Sequence, residues 1–170
     1  MNFKPAFAVS LALLLGVSSS VWAQPAGDDP EWTEAEVPPP PAFDVGKLIL
    51  LDASPNSSLT FGVDPASIHI SSRDGIVRYV MVASSASGAR NVMYEGIRCA
   101  TGEFKTYARY SPEGHWNAVS NPEWRSMYGN MPSKHALRFA KAGACDNAAP
   151  ATSVQSLVKR LKSPNSGTAY

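Results

Sequence analysis

The chain has 170 residues, a formal net charge of +1, 44% hydrophobic and 17% charged residues, and only two cysteines. That is apolar material for one ordinary core, with no need of a second domain. Cations and anions are nearly balanced, which argues against nucleic acid, because a polyanion binder carries a basic excess or stripe.

Residues Met1–Ala23 hold one early cation, Lys4, an apolar run through Ala6–Val17 and small residues Val21 and Ala23 ahead of Gln24. This is the layout of a secretory signal peptide, with cleavage expected after Ala23 and no lipid-accepting cysteine nearby. The run is too short to span a bilayer, so the mature chain is expected to carry no transmembrane segment. Removing residues 1–23 leaves 147 residues with fourteen charges of each sign.

An arm follows at residues 24–45, dense in proline and acid. Consecutive prolines at Pro38–Pro41 favour extended polyproline II and exclude regular helix or sheet. Such an arm suits either a ligand for an aromatic groove on a partner or a strap laid across its own domain by Trp32 and Phe43, and the strap is favoured because a Trp on a free tail gains nothing from burial.

Residues 46–163 read as a single α+β domain, with 164–170 a frayed tail. Lys47–Leu51 suits a first strand, Asp52–Ser58 is a turn cluster, and Leu59–Val63 and Ile68–Ser71 are short strands separated by Asp64-Pro65. Asp74-Gly75 is a strong turn pair. Ile76–Ala83 and Asn91–Cys99 are rich in β-branched and aromatic residues and flank a small-residue loop, which predicts an antiparallel pair. Alternation sets Val77, Tyr79 and Met81 against Arg78, Val80 and Val82; both sets are mostly apolar, so something is expected to cover each face. Arg78 and Glu95 are expected to form a cross-strand ion pair. Phe104–Tyr110 alternates as a further strand.

From Asn121 the period changes. Asn121-Pro122 fits a helix start and predicts a short helix over Glu123–Tyr128; Ser133 suits the cap of another over Lys134–Ala142. Thr152 or Ser153 caps a third, in which Val154, Leu157, Val158 and Leu161 share a face. Strands followed by helices predict a single antiparallel sheet with C-terminal helices packed on one face. Cys99 and Cys145, in an exported chain, are most simply a disulfide, the alternative being two separated buried thiols.

With these residues laid out, the chain resembles the cryptic neisserial protein-like family of exported bacterial proteins. The resemblance rests on Glu31-Trp32 ahead of the proline run, Phe61–Asp64, Asp74–Tyr79, Ser87–Ala89, Asn91–Cys99, Tyr107-Ala108, Trp116, Trp124 and Cys145. It implies a periplasmic location and no established activity, and supplies no catalytic residues.

Enzyme signatures are absent or misplaced. Gly-x-Ser-x-Gly, His-Glu-x-x-His and Gly-x-x-x-x-Gly-Lys do not occur. Ser156–Lys159 matches Ser-x-x-Lys, but it precedes no companion motif in the required order and lies on a terminal helix. His69, His115 and His135 are scattered without ligand spacing, so no metal and no cofactor is implied. Arg78, Tyr94, Glu95, Arg98, Tyr107, His115, Trp116 and Trp124 form the set with chemical interest. Arginines beside aromatics suit carboxylates, phosphates or sugars through bidentate bonds and stacking; the structural alternative has Trp116 and Trp124 packing helices onto the sheet. The expected function is a periplasmic, non-enzymatic binding or interaction module whose partner is an envelope protein or a small anionic or sugar ligand. The alternative is a small envelope hydrolase using Glu95 and His115 as acid/base groups.

Overall fold

The structure is a computed structural model that describes residues 31–51, 57–131 and 133–163; the expected signal segment 1–23 and tail 164–170 lie outside the described residues. Its framework begins at Asp74, whose Oδ1 accepts the Ile76 N–H while Gly75 takes φ +70°, the left-handed turn that glycine enters freely. From that turn runs the longest strand, β4 (Ile76–Ser85), which returns through a loop as β5 (Arg90–Arg98). The other strands are β1 (Ile49–Leu50), β2 (Leu59–Val63), β3 (His69–Ile70), β6 (Glu103–Tyr110), β7 (Trp116–Ala118) and β8 (Arg125–Ser126). All eight pair antiparallel in the order β1-β2-β4-β5-β6-β7, with β3 beside β4 and β8 beside β6.

β4 is central, and both of its faces are covered. Val77, Tyr79 and Met81 join Ile97, Phe104 and the C-terminal helices in one core cluster. Val80 and Val82 join Val92, Tyr94, Tyr107 and Ala108 in a second cluster on the opposite face, against which Val37, Phe43 and Leu48 pack. Regular alternation breaks once. Tyr94 pairs with Ala108 but Glu95 pairs with Thr106, so Tyr107 is an extra residue, a β-bulge. Tyr107 and Ala108 therefore both face the second cluster, whereas Phe104 and Thr106 face the first; simple alternation along β6 puts Ala108 on the wrong side.

The helical layer comprises α1 (His135–Phe139), continued by a wide π turn over Ala140–Ala144, and α2 (Val154–Leu161). Ser153 caps α2 through a reciprocal bond with Ser156, and Leu157 and Leu161 are buried beneath it. Gly143, at φ +127°, would carry a Cβ only 2.9 Å from the Arg160 Cβ, so glycine there lets α2 approach. A ribbon of β9 (Cys145–Asp146) and β10 (Ala149–Pro150) links the two helices. Cys99 at the end of β5 is bonded to Cys145, with Cα atoms 5.6 Å apart, so the disulfide joins the sheet to the helical layer. The architecture is α+β: an antiparallel sheet with its helices on one face.

The helix expected over Glu123–Tyr128 does not form. Asn121 has φ +51°, in the left-handed region, whereas a helix cap needs an extended backbone. The chain turns there, and Arg125 instead pairs with Phe104 at the sheet margin as β8.

Candidate functional site

The face of the sheet away from the helices carries Arg78, Gly96 and Lys105 in one cross-strand row. Gly96 is the gap in that row. A Cβ there would lie 2.5 Å from the Tyr107 hydroxyl and 2.9 Å from Ile76 Cγ2, so the bulged Tyr107 ring lies over the position where glycine presents no side chain. Into the resulting polar cluster the arm inserts Glu34. Tyr107 donates to Glu34 Oε1 at 2.6 Å, Lys105 bonds Oε2, and Arg78 Nη2 stands 3.6 Å from Oε1. Arg78 also donates to Asp74 Oδ2 at 2.7 Å, and the Ala35 N–H reaches the same oxygen at 3.1 Å.

Burial alone would raise the Asp74 carboxyl, but bonds from Arg78, Ser71 and the Ile76 N–H outweigh it and hold it at about 2. Burial alone would lower the Arg78 guanidinium, yet its bond to Asp74 leaves it raised. The Tyr107 hydroxyl is raised by burial and then by Glu34, which keeps it a donor. The cluster is thus a receptor for a carboxylate, with two cations, one neutral donor and a fixed counter-anion.

Aromatic rings extend it at both ends. Trp32 lies under the Arg98 guanidinium at 3.6 Å, meets Trp124 edge-on at 6.1 Å, and donates through Nε1 to the Asp74 carbonyl at 3.0 Å. Phe43 packs edge-on against Tyr110 and Trp116 at 5.0 and 5.7 Å. Between these anchors a cavity of about 380 Å³ is lined by Val37–Pro40 of the arm on one side and by Tyr94, Tyr107, Trp116, Val119 and Pro122 on the other. Residues 32–43 therefore lie across the sheet as a strap. Six of the eight residues singled out from sequence, Arg78, Tyr94, Arg98, Tyr107, Trp116 and Trp124, sit on this one side with it.

Glu95 and His115 do not join them, nor each other. The residues paired across β4 and β5 are Tyr79 with Glu95 and Arg78 with Gly96, so the pleat sends Glu95 to the helix face and Arg78 to the other. The expected Arg78–Glu95 ion pair is excluded by that register. Glu95 is 0% exposed and accepts from Tyr79 at 3.1 Å, Thr106 at 3.0 Å and His135 Nε2 at 2.8 Å. His135 in turn contacts Ser133 Oγ through Nδ1 at 2.7 Å and stacks on Phe61 at 5.2 Å. Burial, with the charge of Glu95, drives the Tyr79 hydroxyl well above its usual value. A carboxylate enclosed in this way pins α1 to the sheet and offers no access to substrate. His115 sits exposed in the turn between β6 and β7, where Nδ1 contacts Ser111 Oγ at 3.2 Å. The acid/base pair imagined for a hydrolase is not assembled.

The residues that sequence reasoning missed are Glu34, Asp74, Lys105 and His135. Lys105 is marked by its place two residues from Tyr107 on a strand. In sequence Asp74 shows only its turn-forming role, and nothing local marks Glu34 above the other acids of the arm. Among the described residues, no cluster of three or more His, Cys, Asp or Glu could hold a metal ion, and no helix is long and apolar enough to cross a membrane.

Comparison with known proteins places the chain. The profile of the CNP1-like family matches residues 27–162, and the chain belongs to that family, whose function is uncharacterised. Cryptic neisserial protein 1 of Neisseria gonorrhoeae (strain ATCC 700825 / FA 1090) is 32% identical over 101 residues, covering 52% of this chain and 49% of that protein. The match thus spans about half the length of that relative. No solved structure matches.

Proposed function

We propose that this CNP1-like chain is an exported, non-enzymatic binding module of the cell envelope, working in the periplasm after its signal peptide is removed behind Ala23. The observation that carries the reading is the face built from Arg78, Lys105, Tyr107, Arg98, Trp116 and Trp124, which holds the Glu34 carboxylate between charge-assisted donors and flanking aromatic rings. Charge-assisted donors with stacking platforms recognise; they do not by themselves break bonds. Export is supported by the leader pattern of residues 1–23 and by a disulfide, which persists in oxidising compartments.

Two measurements test the two parts. Osmotic-shock fractionation followed by N-terminal sequencing is expected to give a periplasmic protein beginning at Gln24; a cytoplasmic chain still beginning at Met1 sinks the location. Thermal-shift screening against small anions, glycans and acidic peptides is expected to yield ligands whose effect is lost in Trp116→Ala and Arg98→Ala. Ligands that stabilise wild type and both variants equally would remove this face from the function.

A further inference from the structure

We propose that the Arg78–Lys105–Tyr107 cluster is a peptide-recognition site, that residues 32–44 are its ligand bound in cis, and that its ligand in trans is an extended segment of a partner protein presenting an aromatic residue, a glutamate two positions on, and prolines beyond. The proposal rests on the binding-module reading and names its ligand class.

Three observations carry it. First, the ligand chemistry is visible. Trp32 is held by Arg98 and Trp124, and Glu34 by Tyr107, Lys105 and Arg78. In an extended segment residues i and i+2 face the same way, so one short peptide satisfies both subsites.

Second, the strap is held differently from the rest of the fold. None of residues 32–44 is fully buried, and their hold on the sheet comes through side chains: Glu34, Trp32 and Phe43, with Asp74 and Asp64 accepting the N–H groups of Ala35 and Asp44. The helical layer, by contrast, is fixed by a covalent bridge and fully buried side chains. Releasing the strap breaks no strand pairing.

Third, the strap does not fill its own groove. An open cavity of about 380 Å³ runs alongside Val37–Pro40 and is lined by Tyr94 and Trp116, so a segment with bulkier residues than these prolines has room there. The cis segment is tethered, and a short tether supplies an effective concentration near millimolar, so a trans ligand must outcompete it. Net attraction needs an acidic peptide, because two cations with a single fixed anion, Asp74, surround the subsite.

The test uses fluorescence anisotropy with a labelled peptide of residues 32–44 as probe, its Glu34→Gln version as control, and the full mature chain as receptor. On wild type the probe is expected to bind weakly. On the Glu34→Gln chain, whose own strap has lost its charge-assisted bonds, it is expected to bind about tenfold to a hundredfold more tightly. On one and the same receptor the control peptide is expected to lose at least about tenfold against the probe, a comparison that no folding defect in a variant can mimic. Tyr107→Phe in the receptor removes one donor and gives a smaller loss. Equal binding of probe and control, or no binding to either receptor at millimolar probe, overturns the proposal. So does a Glu34→Gln chain that dimerises and excludes the probe, which would mean exchange of straps between copies. If peptides fail while glycans or small anions still bind through Trp116 and Arg98, the peptide assignment falls and the binding-module reading stands.

Discussion

Gly96→Ala tests the carboxylate receptor with a single methyl group. The new Cβ would sit 2.5 Å from the Tyr107 hydroxyl, 2.9 Å from its Cε2 and 2.9 Å from Ile76 Cγ2, all inside van der Waals contact. Ile76 is 0% exposed at the start of β4 and has nowhere to go, so the Tyr107 ring must swing outward. Doing so breaks its 2.6 Å bond to Glu34 and loosens the ring contact with Tyr94. Overpacking of this kind costs about 1–3 kcal/mol, and the lost hydrogen bond to a charged partner adds about 1.5–3 kcal/mol where it is not relaxed. Because the ring yields at its free end, the lower half of the combined range, about 2.5–4 kcal/mol, is expected. The assay is a urea melt, read together with limited proteolysis of residues 32–44, which should become cleavable while the sheet and helices stay protected. The partner measurement is Gly96→Ala placed on Tyr107→Leu, which removes both Oη and Cε2: there the methyl should cost less than about 1 kcal/mol, giving a coupling of 1 kcal/mol or more. A Gly96→Ala chain within about 0.5 kcal/mol of wild type, or equal cost on the two backgrounds, would refute the claim that glycine is required there by Tyr107.

Further outcomes follow from the other networks. Replacing Cys99 and Cys145 together by Ala should cost about 4 kcal/mol in a urea melt, from release of a loop closed over 46 residues; a change below 1 kcal/mol would mean that the helical layer is held without the bridge. The Asp74 carboxyl is held at about 2 in the folded chain against the ordinary 3.8, so the unfolded chain takes up its proton first. That group's contribution, on the order of 2 kcal/mol, is fully present above pH 3.8 and is lost as pH falls toward 2, and Asp74→Asn should flatten this acid limb in pH-dependent melts. His135→Phe keeps a ring stacked on Phe61 but leaves buried Glu95 without its Nε2 partner, and should cost about 3–5 kcal/mol; Glu95→Gln in the same background should recover part of that loss, and a cost below about 1 kcal/mol for His135→Phe would show that ring packing, rather than the bond, held α1.

The elements legible in the sequence were those governed by local rules. Asp74-Gly75 announced its turn because both residues act on their own backbone, and the i, i+3, i+4, i+7 spacing of Val154–Leu161 needed only a helical period. What local rules could not reach was decided across strands. The bulge at Tyr107 depends on which residue of β6 faces Glu95, a pairing visible only once both strands are in register. The same register separates Arg78 from Glu95, although the two are oppositely charged residues of adjacent strands. Asn121-Pro122 carries a helix-start pattern that its left-handed φ cancels, because Trp124 and Arg125 are drawn to the sheet by Trp32 and Phe104. Six of the eight candidate residues lie on one side of the sheet because the pleat and the Tyr107 bulge turn them there; Glu95 departs because a buried carboxylate looks, in sequence, like an accessible one.

The two coverings of this sheet differ in kind, and the proposed exchange of the strap rests on that difference. On one side Phe139, Leu157 and Leu161 are buried at 0–5% exposure, Glu95 is tied to His135, and a disulfide closes the layer. Removing that layer would strip a continuous apolar cluster, so it belongs to the cooperative fold. On the other side the strap's polar bonds end mainly on charged and hydroxyl groups, which water can satisfy when the strap leaves, and its apolar hold on the second cluster is confined to the partly buried Val37 and Phe43. Tyr94, Tyr107 and Trp116 would then stand beside Arg78, Lys105 and Arg98 on an open face. A surface that is stable enough to stay closed over its own acidic segment, yet polar enough to open without unfolding, is suited to exchange that segment for another of the same chemistry.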